Sequence, residues 1–99
     1  MTADEMFEEL GYIKDTKIDK IFFEEINDEE VNIKSKVIVY WKEHNENENK
    51  AIMFNFYCKT VGKSFHDKED EDLIFNPSGS FTKDEIVAIN KKIEELQWN

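Results

Sequence analysis

Hydrophobic and polar residues alternate along two segments in the middle of the chain, residues 31–41 (VNIKSKVIVYW) and residues 50–59 (KAIMFNFYCK). A period of two is typical of β-strands, and β-branched and aromatic side chains suit a half-buried sheet surface. The polar run between them, residues 44–49 (HNENEN), is typical of a hairpin loop. The pattern therefore predicts two antiparallel strands at the centre of the fold.

The flanking sequence predicts further strands of the same sheet. Residues 17–26 (KIDKIFFEEI) carry apolar side chains at both parities and are followed by a polar turn at residues 27–30. Gly62 allows a turn into a short fourth strand near residues 63–66. Residues 73–75 (LIF) are expected to return to the core as an extended edge before the chain turns at Asn-Pro-Ser-Gly.

A short helix is predicted at the start of the chain. Thr2 and Glu5 have the spacing of a capping box, in which each side chain satisfies a free backbone N–H of the other residue. Gly11 can adopt the left-handed conformation that ends a helix. A helix of this length is marginal by itself, so it must pack against the sheet.

A longer helix is predicted near the other end, from Lys83 to about Gln97. Thr82 and Glu85 form a second capping-box pattern. An apolar stripe at helical spacing is expected to face the core, and Trp98 is expected to fold back onto it. The stripe consists of Ile86, Ile89, Ile93 and Leu96.

These elements predict one α+β domain over residues 1–99, in which a meander of three or four antiparallel strands carries both helices on one face. The helices are expected to cover the odd-numbered side of residues 31–41. The expected core consists of Ile33, Val37, Val39, Trp41, Phe54, Phe56, Ile86, Ile89, Ile93 and Leu96.

The charge narrows the classes of partner. There are 23 acidic and 13 basic residues, giving a formal net charge of −10. Direct binding to nucleic acid or to an anionic membrane requires basic surfaces, so neither is expected. A basic protein partner is compatible with this charge, as is simple solubility. No basic segment followed by an apolar one opens the chain, and the single cysteine fits a reducing compartment, so a cytoplasmic protein is expected.

Motifs for catalysis or cofactor binding are missing from the sequence. No nucleophile-elbow, phosphate-loop, dinucleotide or zinc-protease pattern occurs, so we expect neither an enzyme nor a cofactor. Cys58, with His44 and His66, lacks the spacing of a zinc site, and its strand parity predicts a buried core residue. The acidic run 67–72 lacks the ligand order of a calcium loop, so no metal is expected, and a metal-dependent factor that uses this loop is the alternative.

The second face of the sheet offers a first candidate binding surface. If the helices cover the odd-numbered side, four large side chains lie on the opposite side, where they would contact a protein partner or a second copy of the chain. Alternatively, residues 73–75 or the flank of the first strand cover them. These candidates are Ile38, Tyr40, Met53 and Tyr57.

Acidic residues near two turns offer a second candidate surface. If both turns lie at one end of the molecule, their carboxylates would resemble a nucleic-acid backbone and bind a basic protein groove, with a steep dependence on salt. Solubility alone is the other interpretation. The acidic candidates are Glu24, Glu25, Asp28, Glu29 and Glu30 at one turn, and Asp67, Glu69, Asp70, Glu71 and Asp72 at the other.

The two ends of the chain resemble those of small proteins encoded by phages and prophages of low-GC Gram-positive bacteria. The resemblance covers residues 2–12 (TADEMFEELGY) and residues 81–98 (FTKDEIVAINKKIEELQW). It implies a protein that acts in the host cytoplasm, and it carries over no functional residue. Because phages encode many short acidic inhibitors of host defence, it also raises the alternative of an anti-CRISPR-like protein.

Overall fold

One helix precedes the antiparallel strands in the chain and one follows them, as expected for the α+β class. The computed structural model describes residues 1–15, 19–26, 29–69 and 79–98, and within residues 19–35 it describes only the backbone of the two strands. The elements, in chain order, are α1 (Ala3–Glu9), β1 (Ile13–Lys14), β2 (Asp19–Ile26), β3 (Glu29–Glu43), β4 (Glu48–Asn55), β5 (Thr60–Asp67) and α2 (Lys83–Leu96).

Strand β3 is the element on which the sheet is built. Its second half pairs with β4, from Val37 opposite Asn55 to Glu43 opposite Asn49. Its first half, residues 29–36, pairs with β2. The short β1 also pairs with β3, and β5 pairs with β4, so the strand order is β1-β3-β4-β5 with β2 on β3. All four ladders are antiparallel.

The predicted strands exist, but their limits differ from the prediction. Strand β4 ends at Asn55, and residues 56–59 form a turn in which Lys59 has a positive φ of 53°. Cys58 therefore lies in this turn and is exposed, so its prediction as a buried core residue is wrong. Strand β1 has only two residues and offered no alternation to detect. The predicted edge at residues 73–75 lies outside the described part of the chain.

Both capping boxes are confirmed. The Thr2 hydroxyl accepts from the Glu5 N–H at 3.2 Å, while the Glu5 carboxylate accepts from the Thr2 N–H at 2.9 Å. The same pair of bonds joins Thr82 and Glu85. Each box satisfies two backbone donors that a helix start would otherwise leave without a partner.

The two helices also end in the same way. Gly11 (φ 90°) follows α1 and Gln97 (φ 59°) follows α2, both in the left-handed region. The next residue then bonds back into the helix, Tyr12 N–H to Phe7 O at 2.9 Å and Trp98 N–H to Ile93 O at 3.1 Å. This Schellman geometry turns an aromatic side chain towards the core. The predicted return of Trp98 is thereby confirmed, since it packs against Phe54 and Phe56.

Both helices pack on one face of the sheet, as predicted, but on the opposite face from the one expected. Tyr40 is 1% exposed and stacks on Phe7 of α1 with ring centroids 4.0 Å apart. Ile38 packs against the same cluster. The other residues of this helix-side core are Tyr12, Ile52, Phe54, Ala88 and Ile89.

The odd-numbered side of β3 belongs to a second buried cluster. Val37 and Val39 are 1% and 0% exposed, and they pack with Ala51, Met53 and Trp41 rather than with the helices. Placing Val37, Val39 and Trp41 under the helices was therefore wrong. The side chain of Ile33 lies outside the described part of the structure.

The inward face of α2 is also rotated from the predicted stripe. Ile86 is 46% exposed, so its place in the expected core is wrong, whereas Ile93 and Leu96 do pack against the helix-side core. Glu85 and Lys92 are buried instead, at 3% and 6% exposure. Two charged residues face inward because each has an oppositely charged partner there, which hydrophobicity alone does not reveal.

The left-handed residues that end the helices generate a prediction about stability. Gln97→Gly is expected to raise the free energy of unfolding by up to about 1 kcal/mol, because glycine adopts positive φ without the steric cost borne by a side chain. Gly11→Ala is expected to lower it by at least as much, since the added Cβ would also lie 3.3 Å from Lys42 Cε.

Urea unfolding of the two variants and the parent protein measures both effects. Equal and small changes for the two substitutions would contradict this account of the helix ends.

Candidate functional site

An acidic cleft lies beside the β3–β4 turn, next to the end of β5. Its volume is about 480 Å³. The turn at residues 44–47 carries one side of it, and the last residue of β5 with the two residues that follow carries the other. The cleft is lined by Glu46, Asn47, Asp67, Lys68 and Glu69.

The turn that carries Glu46 and Asn47 is held in place by Asn45. The Asn45 side-chain oxygen accepts from the N–H groups of Asn47 and Glu48, both at 2.8 Å. This local bonding is the reason why asparagine favours turns. The backbone N–H of Lys68 donates to Asn47 O at 2.9 Å, which ties the two sides of the cleft together. Hydrogen bonds therefore hold the backbone segments that carry the carboxylates.

The cleft carries an excess of negative charge. Glu46, Asp67 and Glu69 are exposed, and the ammonium of Lys68 lies 3.2 Å from the carboxylate of Glu43 just outside the cleft. The sequence continues directly into three more acidic residues, 70–72. Because every lining side chain is polar or charged, the cleft suits a cationic group better than an apolar ligand, which requires a mostly hydrophobic lining.

A buried carboxylate cluster anchors α2 to the sheet. Glu85 accepts from Lys63 Nζ at 2.7 Å and from the Tyr12 hydroxyl, and Lys50 Nζ lies 3.7 Å away. Burial alone would raise the pKa of Glu85, but the bonds from Lys63, the Thr82 N–H and Tyr12 outweigh it and lower the pKa to about 2. Burial and the Glu85 carboxylate raise the pKa of Tyr12.

A similar cluster anchors α1. Asp4 accepts from the Tyr40 hydroxyl and lies 3.1 Å from Lys14 Nζ and 3.2 Å from Lys92 Nζ. Burial would raise the pKa of Asp4, but these three bonds lower it to about 2. The Ala3 N–H also donates to Glu95 at 2.8 Å, which joins the start of α1 to the end of α2. Both clusters hold charged groups that are already paired, so they stabilise the fold rather than offer reactive groups.

Ser64 and Cys58 are described side chains with nucleophilic chemistry. Ser64 is hydrogen-bonded to His66, but its side chain is 1% exposed and out of reach of a substrate. Cys58 Sγ lies 3.0 Å from Thr60 Oγ1 in a surface turn. Over the same residues, no three His, Cys, Asp or Glu side chains lie close enough to share a metal ion.

The four candidates for the second face do not form one surface. Ile38 and Tyr40 lie beneath the helices, so their assignment to an exposed opposite face is wrong. Met53 does lie on the opposite face, but only 4% of it is exposed. Tyr57 is 59% exposed and lies in the turn after β4. The alternative that residues 73–75 cover this face falls outside the described residues.

The two groups of acidic candidates are not brought together. Glu24, Glu25, Glu29 and Glu30 lie at the closed end of the β2–β3 hairpin, where Glu25 is directly opposite Glu30. Asp67 and Glu69 lie near the other end of β3, so the expected single patch is wrong. The side chains of the first group are not described, and Asp28, Asp70, Glu71 and Asp72 lie outside the described residues.

Glu46, Asn47 and Lys68 were missed as site residues. The alternation of Asn and Glu in residues 44–49 was a usable signal, because Asn in a tight turn fixes its neighbours and thereby displays them. The pairing of this turn with residues 67–69 depends on the β4–β5 register, which the sequence does not indicate.

No protein-family model, curated protein or solved structure matches this chain. Among the described residues, no helix is long and apolar enough to cross a membrane.

The Glu85 cluster predicts a large loss of stability in Glu85→Gln. Removing one partner of a buried ion pair leaves the other charge without compensation, and the expected cost is about 3 kcal/mol in the free energy of unfolding. Chemical unfolding measures it. Glu94→Gln on the exposed side of the same helix is the matched control, with an expected change below about 0.5 kcal/mol. Similar changes in both variants would show that Glu85 does not anchor α2.

The lowered pKa values of Glu85 and Asp4 predict loss of stability in acid. Both carboxyls have pKa values in the folded protein below those in the unfolded chain, so their contribution is complete above about pH 5. It is lost as the pH falls from about 5 to about 2, because the unfolded chain takes up protons first. Thermal unfolding across this pH range should show a shallower fall in Glu85→Gln than in the parent protein, and parallel curves would contradict the assignment.

Proposed function

We propose that the protein is a non-enzymatic binding module that recognises a basic segment of a protein partner through its acidic cleft. The observation that carries the proposal is the position of the exposed carboxylates of Glu46, Asp67 and Glu69 around a cleft of about 480 Å³. Among the described lining residues, the one ammonium, that of Lys68, is close to Glu43. A lysine or arginine side chain of a partner would find uncompensated negative charge there.

The framework of the cleft supports this role. The Asn45 bonds and the Lys68–Asn47 bond hold its two sides before any partner arrives. A preformed site loses less conformational entropy on binding than one that must be ordered. The net charge of −10 would also attract a basic partner over a distance and speed its association.

The alternatives differ in how much support they have. The hypothesis of a homodimer formed through the second sheet face has less support, because Tyr40 lies under the helices and Met53 is buried. Nucleic-acid mimicry by an inhibitor of a host defence protein remains a prediction. It now has to rest on the acidic residues of one end, since Glu25 and Glu30 lie near one end of β3 and Asp67 lies near the other.

A short oligolysine peptide, titrated by isothermal calorimetry at low and high salt, tests the proposal. Replacing the three carboxylates by Glu46→Gln, Asp67→Asn and Glu69→Gln is expected to weaken binding about tenfold at low salt, since exposed charge pairs contribute up to about 1 kcal/mol each. Affinity of the parent protein should fall steeply as salt rises.

A charge-matched control separates a local site from a general effect of net charge. Glu8→Gln, Glu9→Gln and Glu94→Gln remove the same charge from exposed positions on the two helices. This variant should bind nearly as well as the parent protein. Equal weakening in the two triple variants would show that only the overall charge acts, and the cleft would lose its assigned role.

A further inference from the structure

Three lysines converge at the edge of the helix-side core, around Tyr12. Lys42 and Lys50 are directly opposite each other in the β3–β4 ladder. Their Nζ atoms each lie 5.6 Å from the centroid of the Tyr12 ring. Lys63, on the neighbouring strand β5, reaches Glu85 beside the same tyrosine. This lysine cluster (Lys42, Lys50 and Lys63) stands out on a chain whose net charge is −10.

The cluster has more positive charge than its carboxylate can balance. Glu85 lies 2.7 Å from Lys63 Nζ and 3.7 Å from Lys50 Nζ, so one negative charge serves two ammonium groups. The described contact of the Lys42 ammonium is with the ring of Tyr12. Like charges directly opposite in an antiparallel pair destabilise it. Two lysines facing each other at this position are therefore a cost that the fold itself does not explain.

The environment of Lys50 also shows an excess of positive charge. Its side chain is 17% exposed. Burial lowers the pKa of Lys50, and the charges of Lys63 and Lys42 lower it further, although Glu85 acts in the opposite direction. An additional anion close to Lys42 and Lys50 would relieve this repulsion.

The end of α1 accounts for only one of the two facing lysines. The stem of Lys42 passes next to Gly11, just after the last turn of α1, where the helix dipole places partial negative charge. A lysine in this position is stabilised by the helix dipole. This contact explains why Lys42 lies where it does, but it leaves Lys50 beside two other ammonium groups.

We propose that Lys42 and Lys50 form a binding site for an oxyanion of the size of phosphate or a carboxylate, at the edge of the sheet beside Tyr12. Two ammonium groups that extend from directly opposite residues of the ladder to the same ring can donate charge-assisted hydrogen bonds to oxygens of one anion. Lys63 remains paired with Glu85 and adds to the positive field. This site shares no residue with the acidic cleft, which lies at the turn of the same β3–β4 hairpin, and it does not depend on the proposed function.

Titrations with inorganic phosphate and, separately, with acetate test the site by amide NMR shifts, with ionic strength held constant by sodium chloride. Saturable shifts are expected at Gly11, Tyr12, Lys42 and Lys50. Saturation by phosphate alone would assign the site to phosphate groups, and saturation by both anions to oxyanions in general. Linear shifts with both anions, or shifts spread over exposed lysines such as Lys83, would overturn the proposal.

Matched variants decide whether the two lysines act together. Lys42→Gln should raise the dissociation constant for the bound anion about tenfold or more, because the variant loses one charge-assisted hydrogen bond. Lys50→Gln should do the same, and Lys59→Gln, in the exposed turn after β4, should leave it unchanged. Because Lys42 has no contact with Glu85 among the described interactions, its variant is expected to fold even if Lys50→Gln does not. Unchanged binding in Lys42→Gln would refute the site.

Discussion

One carboxylate in the first turn of each helix, buried at Glu85 and half exposed at Asp4, is the constraint on which the rest of the structure depends. Glu85 completes the capping box of α2 and at the same time accepts hydrogen bonds from Lys63 of β5 and from the Tyr12 hydroxyl. Asp4, in the first turn of α1, accepts hydrogen bonds from Tyr40 of β3 and from Lys92 of α2. A carboxylate near a helix start is favoured by the helix dipole, and here the same group also fixes the helix to the sheet.

This arrangement ties local and long-range structure together. A capping box alone sets where a helix begins, and it leaves the helix free to rotate about its axis. Because Glu85 must reach Lys63 as well, the rotation of α2 is fixed, and Ala88 and Ile89 are the apolar residues that then face the sheet. Ile86 is left half exposed as a consequence. The ion pair therefore selects the packed face, while burial of the neighbouring apolar residues supplies most of the stabilisation.

The parts of the fold that local chemistry decides could be predicted from the sequence. Thr-x-x-Glu patterns located both helix starts, because capping involves residues three positions apart. Alternation located the strands. The face of the sheet that the helices cover could not be predicted, since Val37 and Val39 on one parity and Ile38 and Tyr40 on the other are all apolar. Long-range contacts of Tyr40 distinguish the two sides: its hydroxyl donates a hydrogen bond to Asp4, and its ring stacks on Phe7.

The candidate site was predicted only in part, for a similar reason. Asp67 and Glu69 were expected to be at an acidic surface, and the structure places them there. Their neighbour Glu46 is about twenty residues away in sequence and joins them through the β4–β5 register, in which Glu48 is opposite Asp67. The separation of the two acidic groups follows from the 15-residue length of β3: the β2–β3 hairpin closes at one end, and Asp67 lies beside the β3–β4 turn at the other.

The distribution of lysines explains how the two surfaces come to differ. All the basic residues of this chain are lysines, and several of them are turned inward: Lys63 and Lys92 are buried against Glu85 and Asp4, and Lys50 is mostly covered. Lys63 and Lys50 share the single charge of Glu85, so together they remove more positive than negative charge from the outer surface. The acidic cleft is therefore less compensated than the composition alone implies. By the same reasoning, a place where inward lysines outnumber their carboxylate, as around Tyr12, is where an anion from outside would be stabilised.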